Sequence, residues 1–197
     1  MHVAHAFTVH AMERDLDFAT AVDDLRNRDP EADSGSAGMF DVELTSGLFY
    51  GYVNIDVALL VANLGGDAAM AGQVVGRLLQ LIARVSPGAK KGSTAPFAHA
   101  EWLMVELGDD QPRTLANAFR KAVPLRGEDN DVFAGAMHAL QAHLQQLDAA
   151  YGQQTLRAQL SVTPPALAGL AAQPLAAVLA WLQDTLAQGA ATPAGGG

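Results

Sequence analysis

Apolar and polar residues alternate in two stretches of the first third of the chain, which is the pattern of half-buried β-strands. The first stretch is Val3–Val9. The second is Met39–Ile55, which alternates as far as Leu44 and then becomes aromatic and β-branched. Gly47 interrupts this second stretch, so we predict two strand segments with a bend or a bulge between them.

Apolar residues recur at helical spacing in the rest of the chain. The clearest helix follows Asp67, a favourable N-cap residue, and carries an apolar stripe as far as Val85. Ser86-Pro87-Gly88 is expected to end it. The remaining predicted elements are a strand over Trp102–Leu107, a helix from Pro112 to Val123, a helix over Val132–Tyr151 and a helix over Gln173–Gln188.

The charged segment between the two N-terminal strands has a different pattern. Leu16, Ala19 and Val22 recur at helical or turn spacing, which favours a helical arm. Residues Arg26–Gly38 are rich in Asp, Pro, Ser and Gly, so we predict a mobile loop there.

The order of these elements predicts an α+β fold. The strand–helix–strand segment Leu44–Leu107 looks like half of a ferredoxin-like βαββαβ unit, and the first βαβ half has no counterpart in this sequence. The strands near Val42–Ile55 and Trp102–Leu107 carry apolar residues on both faces. Such strands need neighbours, so we expect an unpaired sheet edge and a chain that is marginally stable alone.

Composition narrows the class of protein. The 197 residues are 50% hydrophobic and 17% charged, which is typical of a soluble globular domain. No apolar run is long enough to cross a bilayer and no signal peptide is recognisable, so a cytoplasmic protein without membrane contact is expected. The formal net charge of -9, with only 12 basic residues, argues against binding of free nucleic acid by this chain alone.

No catalytic motif is recognisable in the sequence. The chain has no cysteine, and the histidines at positions 2, 5, 10, 138 and 143 lack further ligands at metal-binding spacing. Adjacent carboxylates such as Asp23 and Asp24 point in different directions on a helix and make a poor acid–base pair. We therefore expect no enzymatic activity, no metal and no cofactor.

Three groups of segments resemble the backbone subunit of the type I-E Cascade complex, the CasC family of CRISPR-associated proteins. HAFTVHAMERDLDFATAVDDL is similar to the family's thumb region, and ELTSGLFYGYVNIDVALLVANLGG to the strand and segment after it. PGAKKGSTAPF, WLMVELGD and TLANAFRKAV resemble the loop, strand and helix near the family's C-terminal third. The segments occur in the family's order and cover most of Ala4–Tyr151, so the resemblance is to the C-terminal part of that subunit.

The resemblance implies a non-catalytic scaffold that binds CRISPR RNA in antiviral defence. Subunits of this family stack along the guide, and each has an RRM-like palm and a thumb that lies over the RNA. The implied partners are CRISPR RNA, other copies of the subunit and other Cascade subunits, with target DNA contacted through the guide. Base pairing reads the target sequence, and the protein holds backbone and shape.

The same resemblance assigns candidate RNA-binding residues. Phe18, Thr20 and Val22 match the thumb, where an aromatic ring can stack on a base. If the arm is helical, Phe18 and Val22 share a face; packing of Phe18 against its own domain is the alternative. Lys90 and Lys91 match a loop that can contact phosphate, although lysines also suit a helix C-terminus electrostatically.

We expect three segments: residues 1–38 as strand and thumb, 39–151 as a partial RRM-like palm with helices, and 152–197 as a C-terminal helix with a disordered tail. This chain departs from the family pattern at Ala19, where a second aromatic residue is common, and at Gly51, where arginine is common. A second function remains open, namely a small α+β protein that has lost RNA binding and only contacts neighbouring subunits.

Overall fold

The computed structural model shows a mixed α+β fold, as the sequence predicts. It describes residues 1–11, 15–20, 39–44, 47–86, 97–125, 131–152, 155–163 and 166–191. For residues 15–20, 39–44 and 189–191 it describes the backbone alone. The described part contains no helix that is both long and apolar enough to span a membrane.

The described parts of residues 1–54 form three successive antiparallel strand pairs, which together we call the ribbon. Its strands are β1 (His2–Val3), β2 (Phe7–Thr8), β3 (Asp15–Thr20), β4 (Met39–Leu44), β5 (Phe49–Tyr50) and β6 (Val53–Asn54). β1 pairs with β6, β2 with β5 and β3 with β4. Three residues lie between Val3 and Phe7 whereas two lie between Tyr50 and Val53, so the first side of the ribbon carries an extra residue there, as in a β-bulge.

The described residues from Val57 onward build a two-stranded sheet between helical layers. The helices are α1 (Val57–Asn63), α2 (Ala68–Arg84), α3 (Val132–Tyr151) and α4 (Leu175–Ala191), with a 3₁₀ turn over Ala116–Phe119. The strands are β7 (Trp102–Leu107) and β8 (Leu156–Ser161), which pair antiparallel.

Side chains of the β7–β8 pair alternate between two apolar clusters. Leu103 and Ala158 point toward α2 and α4, where Val75, Val178 and Leu182 are buried. Trp102 and Met104 face the opposite way and pack on the cluster of α3 and the 3₁₀ turn. The sheet is therefore covered by helices on both faces, which requires apolar residues on both sides of its strands.

Local signals in the sequence located most helices correctly. Asp67 caps α2 by accepting a hydrogen bond from the Met70 amide at 2.8 Å, as expected. The predicted bounds of α3 and β7 match the structure. The last helix covers Leu175–Ala191 rather than Gln173–Gln188.

The arm that contains residues 15–20 is a strand, so its predicted helical turn is wrong. The spacing of apolar residues there is outweighed by the β3–β4 ladder, which pairs six successive residues with Met39–Leu44. The predicted mobile loop at 26–38 lies outside the described residues.

One further prediction needs correction, and two elements were not predicted. The helix expected from Pro112 to Val123 is wrong: only a short 3₁₀ turn forms there, and the Val123 amide donates to the Val9 carbonyl at 2.9 Å rather than to a carbonyl of its own segment. β8 was not predicted, although Leu156, Ala158 and Leu160 alternate with polar residues. α1 was not predicted either; Asp56 caps it through the Leu59 amide at 2.8 Å.

Gln159 is a fully buried polar residue in the middle of β8. Its Oε1 accepts hydrogen bonds from the Trp102 indole at 3.0 Å and the Leu167 amide at 3.1 Å. Its Nε2 donates to the carbonyls of Leu167 and Leu170. One side chain thus joins β7, β8 and the segment that precedes α4.

We expect Gln159→Leu to lower the free energy of unfolding by about 3 kcal/mol, because it leaves several buried polar groups without partners. Urea denaturation measures this directly. Gln73, which is exposed on α2, supplies the control, since Gln73→Leu should change stability by no more than about 0.5 kcal/mol. A loss below about 1 kcal/mol for Gln159→Leu would show that the network is not needed.

Candidate nucleic-acid interface

The root of the ribbon is fixed to the helical body by backbone hydrogen bonds. Val9 donates to the Leu48 carbonyl at 3.0 Å, and its own carbonyl accepts from the Val123 amide at 2.9 Å. Val9, Val123 and Ala136 are buried together, so the root also packs against α3. The ribbon therefore leaves the body from a defined position.

His10 lies at this root and is buried. Its Nε2 accepts a hydrogen bond from the Leu48 amide at 3.1 Å, and its Nδ1 lies 2.8 Å from the Ala11 carbonyl. Because an amide can only donate, these partners require a neutral ring with its proton on Nδ1. Gly47 makes this possible, since a Cβ there would lie 2.8 Å from Nε2.

Three aromatic rings extend the same attachment. Phe7, Tyr50 and Phe119 have ring centroids 5.5 to 6.2 Å apart in tilted or edge-to-face arrangements. The Tyr50 hydroxyl accepts from the Leu115 amide at 3.0 Å and lies 3.3 Å from the Thr114 hydroxyl. These contacts connect β5 to the segment around the 3₁₀ turn.

The outer part of the ribbon, β3 and β4, makes no more than marginal contact with other described helices and strands. Phe18 and Thr20 both belong to β3 and are two residues apart in it. In the ladder, Phe18 stands opposite Asp41 and Thr20 opposite Met39. The helical face proposed for Phe18 and Val22 is therefore wrong, because Phe18 lies in a strand.

The structure brings together only two of the candidate residues. Phe18 and Thr20 share β3, whereas Val22, Lys90 and Lys91 lie outside the described residues. Their roles stay predictions.

The outer ribbon is acidic. β3 contributes Asp15 and Asp17, β4 contributes Asp41 and Glu43, and neither strand contains Lys or Arg. Phosphate binding relies on cations, so these two strands are unsuited to hold an RNA backbone. Contact with unstacked bases through an aromatic ring does not require positive charge.

A cluster of four charges that sequence reasoning missed lies between the sheet and α3. Arg157 donates to Glu106 at 2.7 Å and to both carboxylate oxygens of Asp148, at 2.6 and 2.7 Å. Arg113 donates to the same two carboxylates at 3.1 and 2.9 Å. Glu106 and Arg157 are a cross-strand pair in the β7–β8 register, but nothing in the sequence indicates that register.

Charges within this cluster are balanced. Hydrogen bonds from Arg157, and then from Arg113, lower the pKa of Asp148, although burial opposes the shift. The hydrogen bond to Asp148 is also the main cause that raises the pKa of Arg157. Since two carboxylates neutralise two guanidinium groups, the cluster is a structural crosslink with little free charge for phosphate.

A cleft of about 320 Å³ opens beside this cluster, bordered by Gln141, Asp148, Arg157 and Gly169. Among the described residues that line this cleft, the one cation is Arg157, whose charge is already paired with Glu106 and Asp148. Within the residues that the structure covers, no three His, Asp or Glu side chains gather closely enough to hold a metal ion.

Comparison with known proteins finds one matching family model and two similar chains from CRISPR surveillance complexes. The family model described as CT1975-like protein matches residues 1–186. A chain of a CRISPR RNA-guided surveillance complex superposes with a TM-score of 0.78 and 30% identity, covering 93% of this chain and 69% of that chain. A chain of such a complex in a pre-nicking state gives 0.76 and 29%, covering 95% of this chain and 54% of that chain. No curated protein matches.

The contact between His10 and Gly47 generates a stability prediction. We expect Gly47→Ala to lower the free energy of unfolding by about 1–3 kcal/mol, because the new methyl group would displace the His10 ring from the Leu48 amide. Thermal or urea unfolding measures the change. Gly51→Ala is the matched control on the same ribbon, since a Cβ at Gly51 meets nothing within 4 Å.

A double-mutant cycle separates this cause from a general effect on the strand. In a His10→Ala background, Gly47→Ala should cost clearly less, because the ring that it displaces is gone. An equal cost in both backgrounds would contradict the proposed contact.

Proposed function

Because this chain belongs to the CT1975-like family, we propose that it is a non-catalytic scaffold subunit that holds guide RNA in a Cascade surveillance complex of type I-E. The observation that carries the proposal is the 30% identity and TM-score of 0.78 to a surveillance-complex chain over 93% of this chain. The chain spans 69% and 54% of the two matched chains, so a role known for a whole relative is a proposal for this one.

In this proposal the ribbon is the thumb that lies over the RNA. Its root is fixed by Val9, His10 and Tyr50, whereas β3 and β4 make little contact with the remaining described elements. An arm held at one end can reach a ligand outside its own domain. Phe18 lies on this arm, and its ring would stack on or wedge beside a base.

Phosphate contacts must come from elsewhere, because the outer ribbon is acidic and the whole chain has a formal net charge of -9. Lys90 and Lys91 are our candidates on this chain, and neighbouring subunits would supply the remaining cations. We therefore propose that RNA binding is a property of the assembled complex. Isolated chains would bind single-stranded RNA weakly.

The proposed scaffold role needs no catalytic group on this subunit. Pairing between guide and target selects the sequence, and the protein keeps the guide bases accessible. Proposed partners are the guide RNA, other copies of this subunit and other Cascade subunits. Target DNA would be reached through the guide.

A second candidate is a small subunit-interaction protein of the same complex that has lost RNA binding. The acidity of β3 and β4 favours it, because four carboxylates flank the position of Phe18 without any cation on the same strands. The two candidates differ in one respect that can be measured: only the scaffold requires an aromatic ring at position 18.

We expect Phe18→Ala to reduce guide retention and target binding of the assembled complex, since stacking on one base contributes about 1–3 kcal/mol and each subunit copy would lose it. Gel-shift titration of the purified complex at a fixed salt concentration measures the loss. Phe18→Tyr retains the ring and should behave as the parent. Tyr151→Ala removes an exposed aromatic residue at the end of α3 and should leave guide binding unchanged.

Two results would contradict the stacking role. One is unchanged guide and target binding by Phe18→Ala, which would favour the interaction-protein candidate. The other is a large fall in the melting temperature of the isolated Phe18→Ala chain, which would show that the ring packs against its own domain.

A further inference from the structure

The backbone of Val9 divides its hydrogen bonds between the ribbon and the helical body. The register of β2 and β5 places Val9 opposite Leu48, and the Val9 amide donates to the Leu48 carbonyl at 3.0 Å. In a regular antiparallel ladder such a pair exchanges both bonds, so the Leu48 amide would donate to the Val9 carbonyl. That carbonyl instead accepts from the Val123 amide at 2.9 Å. One ladder bond at the root of the ribbon is therefore given up to the body.

The side chain of His10 supplies the acceptor that the ladder has lost. Its Nε2 accepts from the Leu48 amide at 3.1 Å, in place of the Val9 carbonyl. Its Nδ1 lies 2.8 Å from the Ala11 carbonyl on its own side of the ribbon. One imidazole thus ties the two sides together at the residue where the first side also bridges to Val123.

The two sides of the ribbon are unequal in length beyond this tie. Thr8 pairs with Phe49, and Asp15 pairs with Leu44. Six residues lie between Thr8 and Asp15 (15 − 8 − 1), whereas four lie between Leu44 and Phe49 (49 − 44 − 1). Extra residues on one strand disrupt the ladder and bend the strand. The register of the root therefore does not continue into β3 and β4, so strand pairing alone does not set their direction.

Contacts with the helical body do not set that direction either. Among the described elements, β3 and β4 make no more than marginal contact with any helix or strand except each other. The root is held separately, through the bond between Val9 and Val123 and the bond from the Leu115 amide to the Tyr50 hydroxyl. These bonds fix where the ribbon starts but not where its outer part points.

The imidazole of His10 is held in one place. The residue is only 8% exposed, and a Cβ at Gly47 would lie 2.8 Å from Nε2, so the ring packs directly against the opposite side of the ribbon. Leaving the Leu48 amide without an acceptor would cost free energy, which favours this ring position. Among the described residues, this bond is the outermost one that crosses the root before the Asp15–Leu44 pair.

We propose that His10 is a positioning residue that sets the direction in which β3 and β4 leave the body. Its ring is a rigid link between the two sides of the ribbon at the point where the ladder is interrupted. Loss of the link frees the outer ribbon to swing, while the root stays in place because its other bonds do not involve His10. The proposal concerns the direction of the ribbon and does not depend on contact with RNA.

Distances between pairs of spin labels, measured by pulsed electron paramagnetic resonance on the full chain, test the proposal. The chain has no cysteine, so two introduced cysteines carry the labels. The arm pair joins Ala19→Cys on β3 to Gln73→Cys on α2, where Gln73 is exposed. The root pair joins Gly51→Cys to the same position on α2, since a Cβ at Gly51 meets nothing within 4 Å.

We expect His10→Ala to affect the arm pair alone. Ala19 is nine residues beyond His10. At about 3.3 Å per residue the lever is at most about 30 Å long, and a swing of about 10° moves its end by about 5 Å. The distance distribution of the arm pair should therefore widen by at least about 5 Å, with no change for the root pair. His10→Gln keeps an acceptor and should give a narrower distribution than His10→Ala.

Gly47→Ala provides a second variant that displaces the ring without removing it, so the test remains available should His10→Ala not fold. It is expected to widen the arm pair in the same way.

Three results would overturn the proposal. One is an arm pair of unchanged width in both His10→Ala and Gly47→Ala. Another is equal widening of the arm pair and the root pair, which would show that the ring stabilises the root in general. The third is a distribution for His10→Gln as wide as that for His10→Ala, which would show that the acceptor for the Leu48 amide is not what holds the ribbon.

Discussion

Six residue pairs between β7 and β8 hold two helical layers in place, and the rest of the structure depends on this pairing. Its alternation sends Leu103 and Ala158 to one layer and Met104 and Gln159 to the other. Gln159 satisfies its polar groups through Trp102 and the segment before α4, while Arg157 ties β8 to α3. Without the pairing, neither the buried amide nor the charged cluster would find its partners.

The same sheet explains where the ribbon can act. Tyr50 and Ile55 at the base of the ribbon pack on the two layers that β7 and β8 separate, and Val9 is bound to Val123. The root is therefore as fixed as the core, while β3 and β4 are held mainly by each other. A rigid root and an arm with few contacts suit a subunit that reaches toward a ligand shared with its neighbours.

Sequence patterns predicted most elements whose causes are local, although α1 was missed despite its local cap at Asp56. Asp67 and Asp131 cap their helices, and the apolar stripes behind them set α2 and α3. Elements that depend on distant partners were missed: β3 is extended because β4 pairs with it, although Leu16 and Ala19 have helical spacing. Apolar and polar residues alternate in β8, but its Arg and Gln are not typical of a buried strand, so the strand was not predicted.

In the candidate site, too, the sequence indicated individual residues but not their distant partners. A resemblance in sequence marked Phe18 and Thr20 as RNA-facing, and the structure places both on one strand of the arm. The resemblance could not indicate that Asp41 stands opposite Phe18, because that pairing depends on the register of β3 and β4. Nor could it reveal His10 as a partner of Gly47 and Leu48, because a contact across 38 residues leaves no local signal.

The proposed thumb role requires that the ribbon lies against guide RNA in an assembled complex. Guide RNA with photoreactive uridines, assembled with this chain and the other subunits, can be crosslinked and the attached peptides mapped by mass spectrometry. If the ribbon is the thumb, we expect crosslinks at residues 15–44, repeated along the guide, and fewer of them in Phe18→Ala. Crosslinks confined to α3 and α4, with none at 15–44, would contradict it.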